Sequence, residues 1–142
     1  MNDNKRTGEE FRLKRMILLY QISEDEKKNY EDVCSWTGVD IRWIREEEYD
    51  VPIGYLVMGA EETYRNMLRT EQGPVFEEPM MIMAGFMGDE ISTFLRTLRE
   101  SGIKPVDRKA MITEYNAVWT SLMLHEELGK EHEAMKQYRK QQ

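Results

Sequence analysis

The sequence predicts an α/β (α+β) two-layer sandwich: a four-strand sheet from two pseudo-repeated βαβ-like halves, ferredoxin-like, with the helices on one face. A mostly parallel three-layer α/β sheet is the alternative. Three observations lead there. Two unbroken apolar runs, Met16 to Tyr20 and Met80 to Ala84, have the length of buried strands. Each is followed by a helix-length segment that stops at a glycine, Gly38 and Gly102. Laid over itself at an offset of 64 residues, the sequence also repeats its apolar character and punctuation. Met16-Ile17-Leu18-Leu19 falls on Met80-Met81-Ile82-Met83, Asp25-Glu26 on Asp89-Glu90, Tyr30 on Phe94, and Thr37-Gly38-Val39 on Ser101-Gly102-Ile103.

Each element has its own signal. Ser23-Glu24-Asp25-Glu26 reads as a capping box opening the first helix, which runs to about Trp36. Val39, Ile41 and Trp43 alternate with Asp40 and Arg42, as a half-exposed strand does between Val39 and Ile44. Pro52 to Gly59 fits a short helix or a strand, and residues 60–72 form a linking helix with Ala60, Tyr64, Met67, Leu68 and Glu71 on one side. The second main helix begins near Gly88-Asp89 and places Ile91, Phe94, Leu95 and Leu98 on one face. Pro105 has no N–H for a ladder, which delays the last strand to Lys109–Thr113. A long helix from about Ala117 to Tyr138 carries the stripe Val118, Leu122, His125, Leu128, His132 and Met135.

With 142 residues, 40% of them hydrophobic and 33% charged, the chain has the size and composition of one folding unit. We read residues 1–14 as a charged tail and 15–142 as a single domain, with halves 15–58 and 79–142. No window approaches the ~20 apolar residues that cross a bilayer, and the first six residues lack a secretory signal's apolar stretch. With one cysteine, Cys34, no intrachain disulfide forms, so the expected compartment is the reducing cytoplasm. Outside residues 1–14 and 130–142 the charge is 12 basic against 22 acidic. Such a body repels phosphate backbones, which argues against nucleic-acid binding through the core.

The strand-to-helix corner Thr113-Glu114-Tyr115-Asn116-Ala117-Val118-Trp119 is the candidate ligand site, because ligands in α/β folds gather at such corners. Thr113, Asn116 and Trp119 are its candidate ligand-binding residues. Asn116 is equally an N-cap residue type and Trp119 a core-anchor type. His125 and His132 stand about 10 Å apart along a helix axis, too far for two ligands of one ion, so no metal site is expected. Gly85-Phe86-Met87-Gly88 reads as a tight turn: it lacks a phosphate-loop lysine, and Asp89 and Glu90 would repel phosphate. Cys34, matched to Leu98 by the repeat, reads as a small core residue. The run Glu46-Glu47-Glu48-Asp50 reads as a solvated loop.

The stretch Met81-Ile82-Met83-Ala84-Gly85-Phe86, the helix after it, and Thr113 to Trp119 with Leu124, Glu127-Leu128 and Glu131-His132 resemble an uncharacterised bacterial family, domain of unknown function 3783. The resemblance covers about Pro79 to His132. It implies a bacterial cytoplasmic protein and brings no activity with it. No nucleophile-base pair, paired carboxylates or metal spacing stands out in the sequence, and no cofactor is expected. The function expected is a non-enzymatic binding or interaction module, with a homodimer as one form. The alternative is a small-molecule enzyme or ligand sensor using the Thr113–Trp119 corner.

Overall fold

The computed structural model describes residues 13–67 and 73–141. Most of the expected 1–14 tail, and Leu68 and Glu71 of the linking helix, lie outside the described residues. Strand β1 (Met16–Tyr20) leads through helix α1 (Glu24–Thr37) to β2 (Asp40–Trp43). Two short helices follow, α2 (Ile53–Met58) and α3 (Glu61–Met67). A second strand-helix-strand series follows, β3 (Met80–Ala84), α4 (Glu90–Glu100) and β4 (Arg108–Met111), and then α5 (Ser121–Lys140).

The sheet order is β2-β1-β3-β4. Each βαβ unit contributes a parallel pair, and the units join through antiparallel β1 and β3, whose register centres on Leu18↔Ile82. The sheet is therefore mixed, and neither βαβ unit is split by a strand of the other, as happens in interleaved ferredoxin-like sheets. The two crossover helices share one face and form with the sheet the expected two layers, but the expectation that all helices lie on that face is not met, since α2 and the start of α5 pack on the other. Ile17, Leu19, Met81 and Met83 pack there against Tyr30, Val33 and Cys34 of α1 and Phe94 and Leu98 of α4. Cys34 is buried, and burial pushes its thiol up to about 12, as suits a small core residue.

The opposite face carries a second core, in which Leu18, Tyr20, Met80 and Ile82 meet Ile53 and Leu56 of α2, Leu124 of α5, Tyr49 and Phe76. With both faces covered, β1 and β3 have no polar side, and this is why their runs read as unbroken apolar sequence. Helix α3 buries no residue and touches this core through Tyr64.

Both main helices stop where the glycines stand. At the end of α4, Gly102 has φ 82, its N–H donates to Arg99 O, and Ile103 N–H donates to Leu98 O, the paired closure of a Schellman turn. The start of α1 corrects the expected capping box. Ser23 is the N-cap, but its carbonyl takes the Glu26 N–H at 3.0 Å and its hydroxyl makes no capping bond. The last strand is Arg108–Met111, delayed beyond Pro105 as the missing N–H requires, and one residue earlier than expected.

The acidic run also departs from expectation. It forms a short 3₁₀ turn, and Glu48 is 2% exposed. Arg45 donates its backbone N–H to Glu48 Oε1 at 3.0 Å, and its Nε lies 3.3 Å from the same oxygen. Arg42 Nη2 stands 3.7 Å from Glu48 and 3.0 Å from Glu61, while Nη1 donates to Leu56 O at 2.9 Å. Arg42 thus bridges β2, the acidic turn, α2 and α3. Arg42→Ala would leave the buried Glu48 carboxylate with Arg45 alone and take from Glu61 its 3.0 Å partner, and we expect it to cost about 1–3 kcal/mol in urea unfolding. Replacing Arg42 and Glu48 together by methionine should cost clearly less, since no buried charge then remains; equal losses would refute this account.

Candidate functional site

The corner after β4 is built by Asn116. Its Oδ1 accepts from Thr113 N–H at 2.8 Å, its Nδ2 donates to Met111 O at 2.9 Å, and its own N–H donates to Thr113 Oγ1 at 3.1 Å. Thr113 and Asn116 thereby close on each other, and Asn116 is buried while Thr113 is exposed. Asn116 does not cap the long helix: it begins a 3₁₀ turn, and the N-cap of α5 is Thr120, whose Oγ1 accepts from Met123 N–H at 3.2 Å. The helix therefore starts at Ser121 instead of Ala117. Trp119 is held extended because its carbonyl accepts from Ile53 N–H at 2.8 Å, beside a bridge between Pro52 and Thr120. Its ring is half-buried against the second core and borders an open hollow of about 410 Å³ with Met123, Glu126 and Glu127. The three candidate residues do not converge on one enclosed pocket.

The Gly85–Gly88 turn is equally occupied by structure. Gly85 has φ 81, a Cβ there would lie 2.5 Å from the Lys14 carbonyl, and Met87 N–H donates to Glu90 Oε1 at 2.7 Å.

A second cleft, of about 380 Å³, opens at the carboxyl end of β1. Three segments meet there: residues 21–30 from the β1–α1 turn, Glu78-Pro79 ahead of β3, and the 104–108 approach to β4. The turn depends on Gln21, whose φ of 56 is left-handed, a conformation costing a non-glycine residue about 1–2 kcal/mol. Gln21 Nε2 donates to Tyr49 Oη at 3.0 Å, which anchors the turn to the second core. On its other flank lies a cleft of about 260 Å³ that includes Lys27, Trp43 and Arg45, with Lys27 Nζ 5.3 Å above the Trp43 ring. This is the end of a parallel α/β pair at which ligands characteristically bind.

The main cleft carries both signs of charge. Lys104 and Arg108 supply cations, and Glu26, Glu78 and Asp107 supply carboxylates. Hydrogen bonding from its own backbone holds the Glu78 carboxylate below its ordinary range, with Arg108 and His125 adding to the effect. Burial pushes the Tyr30 hydroxyl up to about 12, so it remains a neutral donor. Among the described residues the buried Arg108 Nε has no hydrogen-bond partner. Behind Arg108, His125 stacks on Phe76 with centroids 3.7 Å apart, and its Nε2 lies 3.3 Å from Glu78 O. Burial draws the His125 pKa below its ordinary value, and Arg108 acts in the same direction. His125 is thus a packing residue, and no three His, Cys, Asp or Glu side chains among the described residues come together to hold a metal ion. Nothing in the sequence marks this cleft as a site, because its walls come from segments separated by at least 25 residues; the nearest signals are the charged residues beside Pro79 and Pro105.

Fold and clefts together define a small mixed α/β domain with its accessible cavities at one end of the sheet. The family model described as domain of unknown function 3783 matches residues 79–135. It spans β3, α4, β4, the Asn116 corner and α5 as far as Met135. No curated protein and no solved structure matches the chain.

Two outcomes follow. Asn116→Ala should cost about 1–3 kcal/mol in chemical unfolding, as expected when buried backbone groups lose their partners. Asn116→Asp should also destabilise, because a carboxylate cannot donate to Met111 O; neutrality of the aspartate would refute the triple role. For His125, a folded pKa below the unfolded one means that stability is fully present above the ordinary value of about 6.5 and is lost as pH falls through the folded value. The thermal midpoint should drop between about pH 7.5 and pH 5.5, and drop less in His125→Phe, which keeps the stack.

Proposed function

We propose that the chain is a non-enzymatic binding module that receives a small amphoteric molecule, such as a free amino acid or short peptide, in the cleft at the carboxyl end of β1. The observation that carries this reading is the convergence there of Lys104 and Arg108 with Glu26 and Glu78, from three separate segments, around about 380 Å³. A ligand with both charges can pair with both groups, whereas a simple anion or cation leaves one of them facing its own sign. No side chain in the cleft pairs a nucleophile with a base, which favours binding over catalysis. In this reading the Thr113–Trp119 corner is scaffold, since Thr113 and Asn116 spend their polar atoms on each other.

The same reading takes residues 15–142 as one domain behind a charged tail 1–14, its halves 15–58 and 79–142 joined through 60–72. It takes the halves as an internal duplication: the 64-residue offset relates Leu18 to Ile82, the residues on which the β1–β3 register centres. A bacterial, cytoplasmic setting belongs to it as well. The single cysteine supports a reducing compartment, and no helix among the described residues is long and apolar enough to cross a membrane.

The test is thermal unfolding with a panel of free amino acids and dipeptides, beside N-acetylated and C-amidated analogues of each. A ligand at about 100 times its Kd should add about 2.7 kcal/mol, a rise of several degrees in Tm. We expect that rise with at least one zwitterion, its loss in either blocked analogue, and its loss in Arg108→Gln and Glu26→Gln. The reading fails if no zwitterion raises Tm, or if the rise survives in both variants.

A further inference from the structure

We propose that the outer half of α5 pairs antiparallel with the same helix of a second copy of the chain, about a two-fold axis near Met135. The helix runs 20 residues, about 30 Å, yet it is docked over only its first half. Its inward face is the series Ser121, Leu124, Leu128, Glu131, Met135 and Tyr138, at alternating steps of three and four, the spacing of a helix-pairing seam. Ser121 and Leu124 are 0% and 4% exposed, and Leu128 packs on the second core. Met135 and Tyr138 continue the same face into solvent at 52% and 57% exposure. From Lys130 onward every described residue except His132 is exposed.

Charge order identifies the occupant. Glu126, Glu127, Glu131 and Glu133 come first along the helix, and Lys136, Arg139 and Lys140 come last. Lys130, the one base among the acids, is tied to Glu127 at 3.3 Å. Among the described residues Glu131, Arg139 and Lys140 have no ion-pair partner. Two such helices side by side in the same direction would set like charges together. Reversed about Met135, they bring Glu131 of one copy to Arg139 of the other, twice, as an isologous interface requires. Met135 of each copy then packs on Met135 of the other, and Tyr138 of each lies beside His132 of the other.

Sedimentation equilibrium of the full chain tests this. We expect a monomer–dimer equilibrium that weakens by about tenfold or more when salt is raised from about 50 to 500 mM, because the pairing charges are exposed. Met135→Glu with Tyr138→Glu should remain monomeric with the parent's Tm. Met135→Cys should form a covalent dimer under mild oxidation, while Gln137→Cys, two residues on and so on the opposite side of the helix, should not. A monomeric mass for the parent throughout, a dimer that survives the double variant, or equal cross-linking from position 137 would each overturn the proposal.

Discussion

The antiparallel contact between β1 and β3 is the constraint on which the rest of the molecule depends. Nine of its ten residues are buried, and Ile17, Leu18, Tyr20, Met80, Ile82 and Ala84 are each 0% exposed. An apolar ribbon of that kind must be roofed twice, once for each set of alternating side chains. The crossover helices α1 and α4 roof one side because right-handed βαβ connections carry both there. The other side has no crossover helix, and the segments between and after the two units supply its cover. Residues 44–58 and the first half of α5 therefore exist as structure because β1 and β3 leave them an apolar surface to fold against.

That second cover is tied down with polar bonds as well as packing. Tyr20 Oη and Ser121 Oγ are 2.6 Å apart with both residues buried, joining the middle of the sheet to the first turn of α5. Burial lifts the Tyr20 hydroxyl far above its ordinary value, so the bond is made by a neutral phenol. The Arg42–Glu48–Glu61 cluster does similar work at the β2 edge, and it gives the acidic 46–50 segment a defined path where apolar residues are few. The path matters for the cleft, because the Tyr49 hydroxyl that holds Gln21 in its left-handed turn belongs to that segment.

What was legible in the sequence was local or periodic. The strands Met16–Tyr20 and Met80–Ala84, the stops at Gly38 and Gly102 and the delay imposed by Pro105 each follow from a few adjacent residues. What was not legible depended on distant partners. The start of α5 moves from Ala117 to Ser121 because Trp119 bonds to Ile53, 66 positions away. Glu48 is buried because Arg42 and Arg45 reach it, which no reading of an acidic run by itself reveals. The polar atoms of Thr113 and Asn116 serve the turn, a use that the pattern of a strand-to-helix corner does not by itself reveal. The cleft was missed because no local pattern marks the meeting of a β1 turn, a residue before β3 and a loop before β4.

Gly129 marks the boundary between the docked and free halves of α5. A Cβ there would come within 3.1 Å of Arg108 Nη2, so the glycine is what lets the guanidinium of the cleft lie against the helix. Glycine also weakens a helix by about 1 kcal/mol relative to alanine. The helix is thus intrinsically weakest where it parts from the body, and the stretch beyond is shorter than the ~12–15 residues an isolated helix needs in water. Amide hydrogens of α5 will therefore exchange in two blocks with a step at Gly129, slow before it and fast after it, and a chain that finds its counterpart will slow the second block without changing the first.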